Sequence, residues 1–562
     1  MEKKIKETGA TFTPQELSDF LANQIISSLG VNPPLLKVLD PACGNGNLLL
    51  SVGKSLQKMN LPHTLVGYDT NEEYLTEAKS RLFSIEETSV TLKNEDFLLG
   101  DALVNTDNSS STTAKGQKAV DVIIANPPYV RTQVLGAERS QMIAQKYNLK
   151  GKIDLYYPFL ISMTNSLKQG GILGVITSNR YLTTKSGGQI RKYLLDNFEI
   201  IKVIDLGDTK LFDAAVLPAI FIGKKKTSKK SAVNNGTFSK IYEIADAHNT
   251  TIRQTKSIFD ILDQSTPGIY RVGGKNYSYN QGLLKHSLDL SEIWQMTDKK
   301  ENEWIDKIKS NAAFFVGDKF KVRVGIKSCA DKVFIKEDWT KEDIIPEKIF
   351  FRRLLSQENL NRWKAVSTNN LSVVYPHYDN RGKRGVYDIE QYPKAKAFFE
   401  KNKEALMARK YLIDGGRKWY ELWVPQNPVL WKFPKLVFPD ISLEPRFYLD
   451  NNGAIVNGNC YWIVAQNPQE EELLLLIQGV ANSELMSKYH DLCFNNKLYS
   501  GRRRYLSQYI EKYPIPNPET QESRNIISLV KELNQQSCNN NDISILEQRL
   551  NTAVNLAFNI QD

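Results

Sequence analysis

Cysteine and histidine are both scarce in this chain. Its 562 residues include five of each, and Cys43, Cys329, Cys460, Cys493 and Cys538 form no Cys-x-x-Cys pair. That spacing excludes a disulfide framework and offers no ligand set for a zinc site. Long apolar runs are missing too: none approaches the ~18–20 residues that span a bilayer. The first residues lack the apolar stretch of a signal peptide. A cytoplasmic protein without membrane contact is expected. Acid excess is also absent. Lys plus Arg total 73 against 63 Asp plus Glu, a formal net charge of +10, which favours polyanionic partners with salt-sensitive affinity. There is no internal repeat, and the length allows two to four domains with substantial cores.

What is present begins with Asn126-Pro127-Pro128-Tyr129, directly after the apolar run Val120-Asp121-Val122-Ile123-Ile124-Ala125. A strand that stops at two prolines presents a rigid loop at the carboxyl end of a buried sheet, where open α/β folds place their chemistry. The Asn126 amide, the Pro127 carbonyl and the Tyr129 ring supply two acceptors and a stacking face. This set suits a flat ring bearing an exocyclic amino group.

A second pattern identifies the co-substrate. Val38-Leu39-Asp40-Pro41-Ala42-Cys43-Gly44-Asn45-Gly46-Asn47 reads as a strand entering a glycine turn, followed by the helix-like Leu48-Leu49-Leu50. Glycine permits close approach of a ligand, and the helix start offers free N–H groups. It is not the dinucleotide fingerprint, since position 49 is Leu. Asp40 would repel a pyrophosphate but accept an ammonium. Leu65-Val66-Gly67-Tyr68-Asp69 reads as a second strand ending in a carboxylate suited to a ribose diol. Val90-Thr91-Leu92 then leads to Asp96-Phe97, an acid beside an aromatic ring. An adenosine carrying a methionine, S-adenosyl-L-methionine, fits the series.

The motifs resemble those of adenine-N6 DNA methyltransferases of the subgroup similar to TaqI methyltransferase, over residues 8–225. The resemblance implies a doubly wound α/β, Rossmann-like catalytic domain over residues 1–235 and an α+β target-recognition domain over 236–562. Gly9-Ala10-Thr11-Phe12-Thr13-Pro14 is similar to the opening motif that borders the methionine. By the same likeness Asp40 holds the ammonium, Asp69 the ribose and Asp96 the adenine amino group, with Phe97 packed on that adenine. Thr11, Thr13, Ala42, Gly44, Gly46, Thr70, Asn126 and Pro128 complete the expected cofactor surface. Asn126 and Pro127 would bind the target N6, with Tyr129 stacked on the extruded base. Leu211-Phe212 resembles the motif whose Phe covers the base's other face. Double-stranded DNA is the implied substrate, a monomer is expected, and a cognate restriction endonuclease acting on the same site is an expected partner.

Other readings of the tetrapeptide are cytosine-N4 methylation, RNA amino-methylation and methylation of a glutamine amide in protein. A fused endonuclease lacks sequence support, because Pro439-Asp440 is followed by no Glu-x-Lys. There is also no Pro-Cys nucleophile motif of the kind cytosine-C5 chemistry needs, and Cys43 reads as a small packed residue.

Along the chain, 105–118 reads as a surface loop and 131–152 as a polar segment that either closes over the substrate or is a plain surface loop. Thr13 is a candidate cap for a helix beginning at Pro14. Glycines 170 and 171 break a helix ahead of a strand at 172–177. Residues 199–206 and 216–222 read as a hairpin at the sheet edge, and 224–236 as a basic hinge. Beyond about 240, tryptophan and tyrosine become frequent. The basic clusters there give the candidate DNA contacts: Arg381 and Arg384, with the preferred set Lys497, Arg502, Arg503 and Arg504.

Overall fold

Val38, Leu39, Val122, Ile123 and Ile124 are all buried, as expected of strands covered on both faces of a parallel sheet. In the computed structural model they lie side by side. The structure describes residues 12–30, 34–85, 88–100, 119–129, 136–148, 154–184, 187–212, 217–228, 235–244, 251–263, 266–286, 292–365, 371–494, 501–539 and 541–561.

The described N-terminal strands are β1 (Leu36–Asp40), β2 (His63–Asp69), β3 (Ser89–Asn94), β4 (Val120–Ala125), β5 (Leu167–Ser178), β6 (Phe198–Asp205), β7 (Pro218–Lys225), β8 (Thr237–Ile244), β9 (Ile252–Gln254), β10 (Gly268–Val272) and β11 (Lys275–Leu283). They form one sheet in the order β3-β2-β1-β4-β5-β7-β6-β8-β11-β10-β9. The first five of that order are parallel. β7 runs antiparallel to both its neighbours. The chain winds outward from β1 through β2 to β3, then returns to place β4 on the other flank of β1. That reversal is a topological switch point at the carboxyl ends of β1 and β4, where open α/β sheets bind their ligands.

Helices cover the sheet: α1 (Gln15–Ile26), α2 (Asn47–Lys58), α3 (Glu72–Leu82), α4 (Ala137–Lys146), α5 (Tyr156–Ser166) and α6 (Gly188–Asn197). One face buries Leu17, Leu21 and Ile25 of α1 with Leu49 and Val52 of α2. The other buries Phe159, Leu160 and Met163 of α5 with Leu194 of α6.

The structure corrects several expectations. Residues 198–205 and 218–225 are not an edge hairpin. β7 inserts between β5 and β6, and β6 continues into a parallel pairing with β8. The expected hinge at 224–236 falls between β7 and β8, which belong to one sheet, and its residues 229–234 lie outside the described ones. The compact units divide at Lys299/Lys300, and position 235 falls between two strands of one sheet. Glycines 170 and 171 lie within β5, where the register against β4 shifts. Part of the polar segment at 131–152 is the helix α4. The loop expected at 105–118 lies outside the described residues.

The second unit is α+β. Its strands Arg323–Val324, Cys460–Val464, Lys435–Pro439 and Tyr448–Asp450 make a four-stranded sheet in that order. Trp431 stacks on Trp462 at 4.6 Å in its core. A fully buried ion pair joins Lys435 Nζ to Asp450 at 2.8 Å. Helices Pro468–Ala481, Gln521–Cys538 and Ser544–Ala557 pack together. Among the described residues, no helix is long and apolar enough to cross a membrane.

Candidate active site

Strand register sets out the polar residues along the sheet's carboxyl edge. Asp40 pairs with Gly67, two residues before Asp69, and Asp69 pairs with Asn94, two residues before Asp96. On the other flank Leu39 pairs with Ile123, so β4 delivers Asn126 beside Asp40. With strands ~4.8 Å apart, Asp96, Asp69, Asp40 and Asn126 follow one another across four adjacent strands.

Asp40 is almost wholly buried. Its Oδ1 accepts the Ala42 N–H at 3.0 Å; its Oδ2 is buried without a hydrogen-bond partner among the described residues. Burial pushes its pKa up to about 8, with the Ala42 N–H opposing and the nearby Asp69 charge adding. A buried acceptor without a donor is costly, and a cationic ammonium would satisfy it. The methionine end of S-adenosylmethionine carries that group.

Asp69 shapes the turn. Its Oδ2 accepts the Gly44 N–H and its Oδ1 the Asn71 N–H, both at 2.9 Å. Burial raises its pKa, and these backbone donors oppose the rise. Gly44 and Gly46 have φ of +50° and +82°, backbone that glycine adopts without strain. Cys43 is a packed residue: burial first, then Asp40 and Asp69, push its thiol pKa up, which keeps it a protonated thiol. Ala42 and Thr70 follow Asp40 and Asp69 at the same edge, with Thr70 exposed.

Asp96, expected to accept the cofactor's adenine amino group, has partners within the chain. Its Oδ1 accepts the Leu98 N–H at 3.0 Å, and its Oδ2 meets Arg139 of α4 at 2.9 Å. An adenine amino group would share or displace that guanidinium. Lys146 and Tyr147 reinforce the contact by donating to the carbonyls of Gly100 and Leu98. Phe97 is buried edge-on to Tyr68 and stacked with Phe159.

The Asn126 amide is oriented from both ends. Its Nδ2 donates to Thr13 Oγ1 at 3.0 Å, and its Oδ1 accepts the Tyr129 hydroxyl at 2.6 Å. Thr13 does not cap the helix: α1 has Pro14 at its N-cap and no side-chain cap bond. Asn47 holds this segment by donating to the Thr13 carbonyl at 2.9 Å, and Arg81 in turn donates to Asn47 Oδ1 at 2.7 Å. Thr13 and Asn126 stand 113 positions apart, so only the fold could reveal their contact. Pro127 is buried and Pro128 half-buried. Phe212 lies edge-on to Tyr129, with ring centroids 6.3 Å apart and planes at 68°. Thr11 and Lys497 lie outside the described residues.

The preferred basic cluster is largely committed within the second unit. Arg503 grips both Asp491 oxygens at 2.6 and 2.8 Å and donates to the Leu443 carbonyl. Arg504 pairs with Asp440 at 2.8 Å. Arg502 is exposed. Arg381 and Gly382 form the two-residue turn of an exposed hairpin, His377–Asn380 with Lys383–Val386, and their positive φ suits such a turn. Beside it opens a cavity of about 800 Å³ whose lining includes Lys383, Arg384, Arg417, Trp423, Gln426 and Asn427.

The unpartnered Oδ2 of Asp40, the glycine turn and the adjoining amide loop at a topological switch point define an S-adenosylmethionine-dependent methyltransferase. Residues 46–212 match the family described as Eco57I restriction-modification methylase. Residues 337–515 match the TaqI-like C-terminal specificity domain. The chain is 41% identical over 571 residues to the type II methyltransferase M.BanIII of Aneurinibacillus aneurinilyticus, covering 99% of this chain and 98% of the relative. It is 23% identical to the type II methyltransferase M.BstVI of Geobacillus stearothermophilus, over 91% and 90% of the two chains. Among solved structures, the type IIL restriction-modification enzyme MmeI in complex with DNA matches with a TM-score of 0.61 at 14% identity, covering 100% of this chain and 73% of that one. That likeness concerns the fold. The chain belongs to the type II DNA methyltransferases of restriction-modification systems, and its cofactor is S-adenosyl-L-methionine.

Proposed function

We propose that this enzyme methylates the N6 amino group of an adenine extruded from double-stranded DNA. The observation that carries the proposal is the Asn126 amide, whose nitrogen is tied to Thr13 and whose oxygen therefore faces the side of Tyr129. A carbonyl oxygen has two lone pairs, so Asn126 Oδ1 can accept an N6 hydrogen beside the Tyr129 hydroxyl. The Pro127 carbonyl accepts the second. An adenine N6 lone pair is delocalised into the ring and nucleophilically weak. Two acceptors on its hydrogens favour a tetrahedral nitrogen and return density to the lone pair. The bound cofactor supplies an electrophilic methyl on sulfur. The residues' contribution is alignment, which can remove much of a bimolecular barrier. No enzyme nucleophile is required, in keeping with the protonated Cys43.

Extrusion of a paired base costs a few kcal/mol. Stacking returns about 1–3 kcal/mol per base, and Tyr129 with Phe212 offers the faces. Backbone and base-edge contacts are assigned to the hairpin carrying Arg381, Lys383 and Arg384, where Arg384 makes no side-chain hydrogen bond or ion pair among the described residues. Burial first, then the Arg384 and Arg417 charges, push the pKa of His377 down to about 3, so the positive charge at this hairpin comes from its arginines and lysine.

The test is incubation with isotopically labelled S-adenosylmethionine and unmodified DNA, followed by nucleoside mass spectrometry. Labelled N6-methyladenine is the expected product. Labelled N4-methylcytosine, or label in RNA or protein alone, would overturn the assignment of the base or of the substrate.

A further inference from the structure

A buried polar cluster at the carboxyl edge has no part in the chemistry so far. Asp205, the last residue of β6, is fully buried. Its Oδ2 accepts the Tyr242 hydroxyl at 2.6 Å, and its Oδ1 accepts Asn179 Nδ2 at 3.0 Å and the Gly207 N–H at 3.1 Å. A carboxylate so deep is tolerated because three donors meet it. These donors come from three places: Tyr242 from β8, Asn179 from the end of β5, and Gly207 from the loop leaving β6.

That loop leads to Phe212. Asn179 also ties the returning side, since its backbone N–H donates to the Leu217 carbonyl at 2.8 Å, and the Leu206 N–H donates to the Pro218 carbonyl at 3.0 Å. Further along, Asp208 accepts the Glu243 N–H at 2.7 Å, and the Thr209 hydroxyl donates to the Leu206 carbonyl at 2.8 Å. Gly207 sits at φ +50°, where an added Cβ would stand 2.3 Å from the Ile241 carbonyl. Both roots of the loop are thus pinned to β5, β7 and β8, and Phe212 packs on the adjoining core.

We propose that Asp205, Asn179 and Tyr242 form a positioning clamp that holds Phe212 at a fixed place opposite Tyr129 and so sets the slot for the extruded base. The inference rests on base extrusion as the proposed route, and it does not depend on which exocyclic amine is methylated. A base between two parallel rings needs about 7 Å, two stacking contacts of ~3.5 Å. The rings now stand 6.3 Å apart and tilted by 68°. With Phe212 held from the root of its loop, adjustment falls to Tyr129, which hydrogen-bonds Asn126 through its hydroxyl and packs on the same core at its edge. Weakening the clamp leaves the slot undefined, and the extruded base is held less often in line for transfer.

The test compares wild type with Tyr242→Phe, which removes one hydroxyl and little volume, and with Asn179→Ala. Each is assayed on a matched duplex of the recognised sequence and on the same duplex with a mismatched partner opposite the target base. A mismatch lowers the cost of extrusion, so a slot defect should be partly rescued. The expected result is a fall in turnover of about tenfold at saturating DNA on the matched duplex, shrinking to about threefold or less on the mismatch. Binding of S-adenosylmethionine should stay near wild type for Tyr242→Phe, while the melting temperature falls by a few degrees because Asp205 Oδ2 loses its donor. Equal loss on both duplexes, or no loss with either variant, overturns the clamp. Absence of methylated DNA with the wild type itself would instead overturn the proposed function.

Discussion

At the scale of single residues, Asp40 and Tyr129 make opposite demands on the site. Asp40's folded-state pKa, near 8, stands above its ordinary carboxylate value, so the empty fold favours the neutral acid. Its contribution to apo stability is full below about pH 4 and is lost as pH rises through about 8. An ammonium prefers the carboxylate, so cofactor binding should release a proton below that pH. Affinity for S-adenosylmethionine should therefore tighten as pH rises towards about 8, by at most tenfold per unit, and then level off. Calorimetry in buffers of different ionisation enthalpy would read the released proton. Its absence at pH 7 in the wild type would refute the assignment, and Asp40→Asn should abolish both the release and the pH dependence. Tyr129 offers its ring to the base and its hydroxyl to Asn126. Tyr129→Phe keeps the ring and should hold kcat within about threefold, whereas Tyr129→Ala loses a stacking face of about 1–3 kcal/mol and should lower kcat/KM about 5- to 150-fold. Thr13→Val deprives the Asn126 amide of its anchor and should cost about tenfold in kcat with little change in cofactor affinity. Equal rates for Tyr129→Ala and wild type would remove the stacking role.

Elements differ in how openly the sequence announces them. β1, β2 and β4 were legible because each is a short apolar run closed by a polar residue or prolines. Their order could be read because the chemistry follows their carboxyl ends. The place of β7 between β5 and β6 is not legible, because local pattern states that a strand exists, not which neighbours it enters between. The sequence turns polar and aromatic near 240 and so reads as another domain from there, and only pairing shows that β8 to β11 extend the first sheet. Contacts across long sequence separations, Thr13 with Asn126 or Arg139 with Asp96, leave no periodic trace. The glycine turn was legible in composition, but its tightness was not. Gly46 begins α2 at φ +82°, and an added Cβ would stand 3.0 Å from Ala78 Cβ of α3. Gly46→Ala should therefore destabilise the fold by about 1–3 kcal/mol through backbone strain and overpacking. Chemical denaturation would measure it, and an unchanged midpoint would mean that α2 and α3 can separate at no cost.

For the molecule as a whole, the positive balance divides into charges that hold the fold and charges open to a polyanion. Sequence alone cannot separate them, because the acids that neutralise Arg503 and Arg504 are Asp491, twelve positions earlier, and Asp440, more distant still. Arg503 is mostly buried and holds both Asp491 oxygens and the Leu443 carbonyl, so Arg503→Ala removes these bonds and should cost about 1–3 kcal/mol of stability. Lys383 and Arg384 stand exposed on their hairpin and should behave differently. Their joint replacement by alanine should leave the melting temperature near wild type and weaken DNA binding most at low salt. Each lost phosphate contact flattens the dependence of log affinity on log salt by about 0.9, so the double variant's slope should fall by about 1–2. If that slope is unchanged while Arg502→Ala alone reduces it, DNA lies against the other cluster after all. If both variants keep the wild-type slope but methylate a relaxed set of sites, the hairpin reads base edges rather than phosphates, because base contacts carry sequence information that phosphate contacts do not.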